Sequence, residues 1–219
     1  MAFQAGGQRP APRPAPATPE VQAYLQDYTA LLEAVPFPSF VVDHRWDVVL
    51  TNGAFRTLFQ GAGPHPTAMP GDNFLRFVLF HPDASAVLGD HESSWCLPML
   101  AHYAAALERY GHDPGLQAVR RDIAQDPIME AAYRQGLPHW IRAVGAEAVE
   151  HDGAVRPLHH PDPRRGTTEC RVVVETPTVL AELGYSRLTL VLREPRRTPP
   201  RLARPRRTAA HLRVVSSTE

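Results

Sequence analysis

The spacing of apolar residues predicts its clearest element near the start of the chain, a helix that begins after Thr18. Thr18 is followed by Pro19, and a threonine cap with a proline in the first turn is typical of a helix N-terminus. Pro36 and Pro38 end the pattern. Between them the apolar residues recur every three or four positions, which places them on one helical face: Val21, Tyr24, Leu25, Tyr28, Leu31, Leu32 and Val35.

The pattern then changes to a period of two, which indicates strands. The segments 39–43 (SFVVD) and 46–51 (WDVVLT), separated by a two-residue turn, predict a β-hairpin. Two short amphipathic helices are predicted next, one capped by Asn52 and one capped by Asp72. Each carries several inward-facing aromatic residues.

Helices dominate the middle of the chain. Residues 83–110 are predicted to be helical, with a break near Pro98. Two more helices are predicted to begin at Asp113 and Asp126, because each aspartate can cap a helix and each is followed by a proline at the first helical position.

Strand-like patterns return after Gly136. Residues 144–150, 167–178 and 186–193 favour strands, and the last of these has leucines at alternate positions. Strands at both ends of the chain must share one sheet, with the helices gathered between them in sequence. We therefore predict an α+β domain whose antiparallel sheet has several helices packed on one face. A concave space between sheet and helices is a common ligand site.

Composition narrows the function classes without choosing among them. Hydrophobic residues make up 43% of the 219, which is ordinary for a globular protein. The sequence contains no run of 18 apolar residues, the length that a membrane-spanning helix needs. The first 19 residues lack the apolar segment of a secretory signal. The two cysteines, Cys96 and Cys170, are too few for a disulfide framework and fit a reduced, cytoplasmic setting.

The net charge of zero conceals three regions. Residues 1–18 are rich in Pro and Arg and are expected to form a disordered arm, and residues 196–219, with seven arginines and one glutamate, a disordered tail. The body, residues 19–195, holds 14 arginines against 22 acidic residues, a net charge of −8. The body should repel DNA, whereas the tail could either touch phosphates without reading sequence or remain solvated.

Four segments carry a resemblance to a known family. They are LLEAVPFPSFVVDHRWDVVLTNGAFRTLF (31–59), DNFLRFVLFHPDA (72–84), ALERYGHDPGLQAVRRDIAQDPIMEAAYRQGLPHW (106–140) and RLTLVLREP (187–195). Together they resemble the ligand-binding domain of MmyB-like bacterial transcription regulators over roughly residues 20–195.

The resemblance implies a PAS-like fold with an apolar pocket, in cytoplasmic transcription regulators of actinomycetes and related bacteria. It implies a fatty-acid-like or other hydrophobic small molecule as ligand. We predict no cofactor. In such regulators a helix-turn-helix domain precedes the sensor, whereas residues 1–18 of this chain cannot form three helices. We therefore expect no sequence-specific DNA binding and no membrane association by this chain. We expect action through a homodimer or a heterodimer with a DNA-binding regulator.

Aromatic clustering and residue type predict a ligand-binding set. Its aromatic members are Phe40, Trp46, Phe55, Phe59, Phe74, Phe77, Trp95, Tyr133 and Trp140, and its polar members are Asn52, Asn73 and Arg76. Each type has a purely structural alternative. The aromatic residues could form a packed core, the asparagines could cap helices, and the arginine could lie exposed.

The sequence gives less support to a metal site or a haem site. His151, His159, His160, Asp152 and Asp162 are metal-ligand types, but their spacing places no two histidines on one helical face, and we predict no metal site. A haem ligand, His81 or His102, is a further alternative.

Two alternative functions stay open, and we predict no catalytic residue. The main alternative is an enzyme of a secondary-metabolite pathway, of the isomerase or cyclase type, that reuses the pocket. Two titratable groups converging inside the pocket would favour it. In the other, the module pairs with full-length relatives and holds them off DNA.

Overall fold

The protein is built around a five-stranded antiparallel sheet. The computed structural model describes residues 18–145, 150–160 and 166–193. The predicted tail, and the predicted arm up to residue 17, lie outside the described residues. The strands are β1 (Ser39–Val42), β2 (Val48–Thr51), β3 (Val155–His159), β4 (Thr167–Glu175) and β5 (Ser186–Arg193).

The helices precede β1, fill the chain between β2 and β3, and return once before β5. They are α1 (Pro19–Glu33), α2 (Gly53–Leu58), α3 (Phe74–Phe80), α4 (Ala84–Val87), α5 (Leu97–Arg109), α6 (Pro114–Gln125), α7 (Pro127–Ala131), α8 (Leu137–Val144) and α9 (Thr178–Glu182). Two π-helical turns, His91–Cys96 and Ala132–Gly136, run directly into α5 and α8. None of these described helices is long and apolar enough to cross a membrane.

The strands lie in the order β2-β1-β5-β4-β3. The N-terminal hairpin thus meets the last strand at the centre of the sheet, where Phe40 of β1 is opposite Leu188 of β5. The longest pairing joins β5 to β4, from Glu169 opposite Arg193 to Glu175 opposite Arg187. This order and the antiparallel pairing are those of a PAS-like sheet, so the predicted fold class is confirmed.

Successive residues of β1 face two different apolar clusters. Phe40 and Val42 belong to the larger cluster, to which α2 to α6 and α8 contribute buried side chains and α7 the partly buried Met129. Val41 points the other way and packs with Leu32 of α1 and Leu180 of α9. Most helices therefore lie on one face, as predicted, while α1 and α9 cover part of the opposite face.

Both edges of the sheet are covered by backbone contacts. At the β2 edge, the N–H of Val48 donates to the carbonyl of Asp72 at 2.8 Å. At the β3 edge, the N–H of Gly89 donates to the carbonyl of Pro157 at 3.1 Å. A Cβ at position 89 would lie 3.0 Å from the Pro157 side chain, so glycine permits this close approach.

Most predicted helix starts are confirmed by their caps. The side chain of Thr18 accepts a hydrogen bond from the N–H of Val21, and Asp113 and Asp126 cap α6 and α7 in the predicted way. Asn52 caps α2. The cap of α3 is Asn73, however, and not the predicted Asp72.

Two further details of the predicted helices were wrong. Leu31 is not on the buried face of α1 but is 66% exposed, because the face that meets the sheet is narrower than the apolar stripe. The region 83–110 breaks between α4 and the first π-helical turn, where Asp90 adopts a left-handed backbone conformation with φ 44°. Pro98 lies in the first turn of α5, where a proline is tolerated.

The predicted strand at 144–150 lies mostly outside the described residues. Residue 144 ends α8, residues 146–149 are outside the described residues, and the third strand is Val155–His159. Its two inward positions are Arg156 and Leu158. A buried arginine and a proline break the alternation that marks a strand, which explains the missed element.

Candidate functional site

A cleft of about 880 Å³ opens at one end of the sheet. Its walls are the ends of β1, β4 and β5, the C-terminal half of α5, the turn between α9 and β5, and residues 150–152. The apolar lining includes Val42, Trp46, Ala106, Val174 and Leu188. The volume lies within the range of small-molecule pockets.

Trp46 reaches this cleft through an unusual backbone conformation. Its φ is 66°, a left-handed value that bulky residues seldom adopt. The turn holds it there, because its N–H donates to the carbonyl of Asp43 and its carbonyl accepts from the N–H of Phe74, each at 3.0 Å. Strained backbone of this kind persists only where its surroundings fix it, and it often lies at functional sites.

The floor of the cleft contains two stacked imidazoles. The rings of His102, on α5, and His151, before β3, have centroids 3.5 Å apart and planes 12° apart. The indole of Trp46 stands edge-on to both, at 5.9 Å from His102 and 5.1 Å from His151. Each ring therefore has an aromatic neighbour, but the buried Nε2 atoms of both histidines have no hydrogen-bond partner in the part of the chain that the structure describes.

Arg156 stands behind this pair. Its guanidinium lies 2.6 Å from Nδ1 of His151 and 5.1 Å above the ring of Trp95. Trp95 is placed by the π-helical turn before α5, and its indole N–H donates to the carbonyl of Pro157 at 2.9 Å. No carboxylate of the described chain pairs with Arg156, which is 5% exposed. We call Trp46, His102, His151 and Arg156 the imidazole wall.

Burial sets the protonation of the imidazole wall. It lowers the pKa of His102 to about 4, with a further contribution from the positive charge of Arg156. The pKa of His151 is lowered well below its ordinary value by burial first, and then by His102 and Arg156. Burial also lowers the pKa of Arg156 to about 10. At neutral pH the wall thus has two neutral imidazoles and one guanidinium cation.

The rim of the cleft is acidic. Asp43, Glu150 and Asp152 line it, against the single guanidinium of Arg109. Asp43 is held by Arg45, with an oxygen–nitrogen distance of 2.9 Å. The side chains that line the cleft therefore include more carboxylates than guanidinium groups.

A smaller cavity of about 230 Å³ lies on the other side of Arg156. Ser93, Ser94, Trp140 and Arg156 contribute to its lining, and Glu150 lines both cavities. Members of the imidazole wall therefore contribute to the lining of both cavities.

Five of the predicted ligand residues form a closed aromatic cluster. Phe40, Phe55, Phe59, Phe74 and Phe77 are all at most 5% exposed, and neighbouring ring centroids are 4.7 to 6.4 Å apart. We call them the phenylalanine cluster. None of the five lines the cleft, and their arrangement is that of a packed core.

Asn52 is fully engaged with the backbone. Its Oδ1 accepts from the N–H groups of Ser39 and Phe55, at 3.0 and 2.9 Å. Its Nδ2 donates to the carbonyls of Leu32, Val35 and Phe37. The side chain therefore connects α1, β1 and α2, and it lies away from the cleft.

The other predicted polar residues also have structural partners. Asn73 accepts from the N–H of Arg76 and donates to the carbonyl of Arg45 and the carboxylate of Asp47. Arg76 forms an ion pair with Asp122 at 2.6 Å, which joins α3 to α6.

Of the remaining aromatic residues, the structure brings only Trp46 to the main cleft. Trp95 lies beneath Arg156, and Trp140 lines the smaller cavity. Tyr133 contacts the ring of Tyr103 and the guanidinium of Arg120.

The sequence analysis missed the cleft's polar floor. It weighed His151 only as a metal ligand and His102 only as a haem ligand, and it did not consider Arg156. The signal was present as an arginine at an inward position of a strand, but only the strand's register makes that visible. Within the described ranges no group of three histidine, cysteine, aspartate or glutamate side chains could hold a metal, and Asp162 lies outside them.

The cysteines offer no nucleophile. Burial raises the pKa of both Cys96 and Cys170 to about 12, so both thiols stay protonated at neutral pH.

The family model of the MmyB-like transcription regulator ligand binding domain matches residues 26–178. The matched range extends from α1 to the start of α9 and includes the whole imidazole wall. A search of curated proteins found no match.

Proposed function

Because the chain belongs to the family of MmyB-like transcription regulator ligand binding domains, we propose that it senses a hydrophobic small molecule with a fatty-acid-like chain in the cleft beside Trp46. The cleft itself is the observation that carries this proposal. Its volume of about 880 Å³ and its apolar lining from β1, α5, β4 and β5 suit a ligand of this kind. The fold supplies the sensor domain of a regulator.

A blocked cleft tests the proposal. Ala105 is exposed on α5 and lines the cleft, so Ala105→Trp would fill the space without disturbing the core. Ala124→Trp makes the same change at an exposed position of α6 that does not line the cleft. Calorimetric titration with decanoic acid and methyl decanoate should show binding to the wild type and to Ala124→Trp, and at least tenfold weaker binding to Ala105→Trp. Equal binding by all three would place the ligand elsewhere.

An enzyme remains the second candidate, because titratable groups do converge on the cleft. His102 and His151 of the imidazole wall lie next to each other at the floor of the cleft. His44 also lines the cleft and is 3.1 Å from the carboxylate of Asp113. Chromatography and mass spectrometry of a bound ligand after long incubation distinguish the two functions. A sensor returns its ligand unchanged, whereas an enzyme accumulates product.

The proposed output is contact with a partner in the cytoplasm, either a second copy or a DNA-binding regulator. We infer this from membership of a transcription-regulator family. Light scattering of the purified chain, with and without methyl decanoate, should show a change of mass on binding. A mass that stays that of one chain under both conditions would remove the homodimer.

A further inference from the structure

Two buried nitrogen atoms at the floor of the cleft have no hydrogen-bond partner. Only three side-chain nitrogen or oxygen atoms in the described part of the chain are in this state. Two of them, Nε2 of His102 and Nε2 of His151, belong to adjacent stacked rings that line the cleft. Unpaired buried polar atoms are rare in folded proteins, and a pair at one place calls for a ligand.

The contact with Arg156 fixes the tautomer of His151. A guanidinium has only donors, so Nδ1 of His151 must accept the hydrogen bond at 2.6 Å. A neutral imidazole has one donor and one acceptor nitrogen. Nε2 of His151 therefore carries the proton, and this residue of the cleft lining holds a buried N–H donor without an acceptor among the described residues.

The positive charge of Arg156 acts on both imidazoles, but a free carboxylate at this donor would have no direct ion pair with it. A buried carboxylate needs a direct ion pair and several hydrogen bonds to offset its lost hydration. Arg156 does not line the main cleft, and the rim carries Asp43, Glu150 and Asp152 against Arg109. A neutral carbonyl oxygen can accept from His151 with a much smaller loss of hydration.

We propose that the His102–His151 pair is the polar contact of the ligand cleft and that it selects a neutral carbonyl group, as in an ester or amide, over a free carboxylate. This inference rests on the proposed function, because it needs a ligand in the cleft. Arg156 is a positioning residue in this scheme. It does not touch the ligand and acts on it only by fixing the tautomer of His151.

Nitrogen-15 NMR of the histidine rings tests the role of Arg156. In the wild type the His151 ring should show a protonated Nε2 and an unprotonated Nδ1. Arg156→Met removes the donor that holds this state, so the two tautomers should then exchange. An unprotonated Nε2 in the wild type would overturn the inference directly, whether or not any ligand binds.

Matched ligands test the selectivity. Calorimetric titration at pH 8 compares methyl decanoate with decanoate on the wild type, on His151→Phe, which keeps the ring stack but loses the donor, and on His151→Gln, whose amide can restore it. We expect the ester to bind the wild type about tenfold more tightly than the acid. His151→Phe should abolish this preference, and His151→Gln should keep most of it.

His139→Phe is the control, because His139 is exposed on α8 and lines neither cavity. It should leave both affinities unchanged. Acid binding as tight as ester binding, or an equal effect of His139→Phe, would overturn the inference while leaving the proposed function intact. Failure of both ligands to bind the wild type would instead count against the proposed function.

Discussion

The phenylalanine cluster and the imidazole wall belong to the same side of the sheet but are built in opposite ways. In the phenylalanine cluster every ring meets other rings, and no polar group needs a partner. The imidazole wall holds a buried cation and two buried nitrogen atoms, and within the described residues the cation has no carboxylate partner and the nitrogen atoms have no hydrogen bond. The first arrangement stabilises the fold, whereas the second leaves unsatisfied chemistry beside an open cleft, which is typical of functional sites.

The largest expected effect is a loss of stability when a ring of the phenylalanine cluster is removed. Phe77→Ala should lower the free energy of unfolding by about 3–5 kcal/mol, because it removes a fully buried ring and leaves a cavity. Urea denaturation followed by circular dichroism measures this. The same substitution at Phe80, which is only partly buried, should cost clearly less. Equal losses at both positions would show that the cluster is not the tightly packed core described above.

Asn52→Ala should have the next largest effect. It leaves the buried N–H groups of Ser39 and Phe55 without an acceptor, and each unpaired buried donor costs about 1–3 kcal/mol, so we expect a loss of about 3 kcal/mol. Ligand affinity of the folded fraction should be unchanged. Reduced affinity at full folding would return Asn52 to the ligand site.

A matched variant at this position refines the result. Asn52→Asp keeps the acceptor oxygen but places a second oxygen against three carbonyls. The pKa of the introduced carboxyl should be raised in the folded state, so this variant should regain stability as the pH falls.

A substitution in the imidazole wall should raise the stability of the free protein rather than lower it. His102→Phe keeps the stacked ring and removes an unpaired nitrogen, so at pH 7 it should stabilise the free protein by about 1 kcal/mol. Thermal denaturation measures this. A loss of stability would mean that His102 has a structural role.

The same variant should change the response to acid. The pKa of His102 is about 4 in the folded protein, mainly because of burial, but near its ordinary 6.5 in the unfolded chain. Between pH 6.5 and pH 4 the unfolded chain binds a proton that the folded protein excludes. Stability of the wild type should therefore fall as the pH drops through this window, and His102→Phe should remove about 1.4 kcal/mol per pH unit of that slope. Identical slopes would contradict the low pKa.

The smallest expected effect concerns the ion pair between Arg76 and Asp122. Asp122 is 39% exposed at its side chain, so Asp122→Asn should cost about 1 kcal/mol or less. Neither Asp122→Asn nor Arg76→Met should alter ligand affinity, since the pair lies outside the cleft. A weaker affinity for either variant would extend the site beyond the boundary drawn here.

Much of the fold follows from local sequence signals. The caps at Thr18, Asn52, Asp113 and Asp126 and the alternating leucines of β5 are properties of a few neighbouring residues, and the structure confirms them. The family resemblance is confirmed as well. These predictions need no knowledge of which segments meet in space.

The site needs that knowledge, and for this reason most of it was not predicted. His102 and His151 are 49 positions apart and become one feature only when α5 packs beside the residues before β3. Aromatic residue type identified rings that pack, but it could not tell a closed cluster from the wall of a cleft. Residue type also favoured Asn52 and Arg76, whose hydrogen-bonding capacity is used inside the fold.

The central place of β5 also has a consequence for how the chain reaches this structure. The hairpin β1–β2 and the pair β3–β4 are joined in the sheet only through β5, which comes last in sequence. During synthesis the hairpin must wait for more than 130 residues before its second neighbour, residues 186–193, is made. Contacts of such long range slow folding, so the exposed flank of β1 is the surface most in need of a chaperone while the protein is being translated.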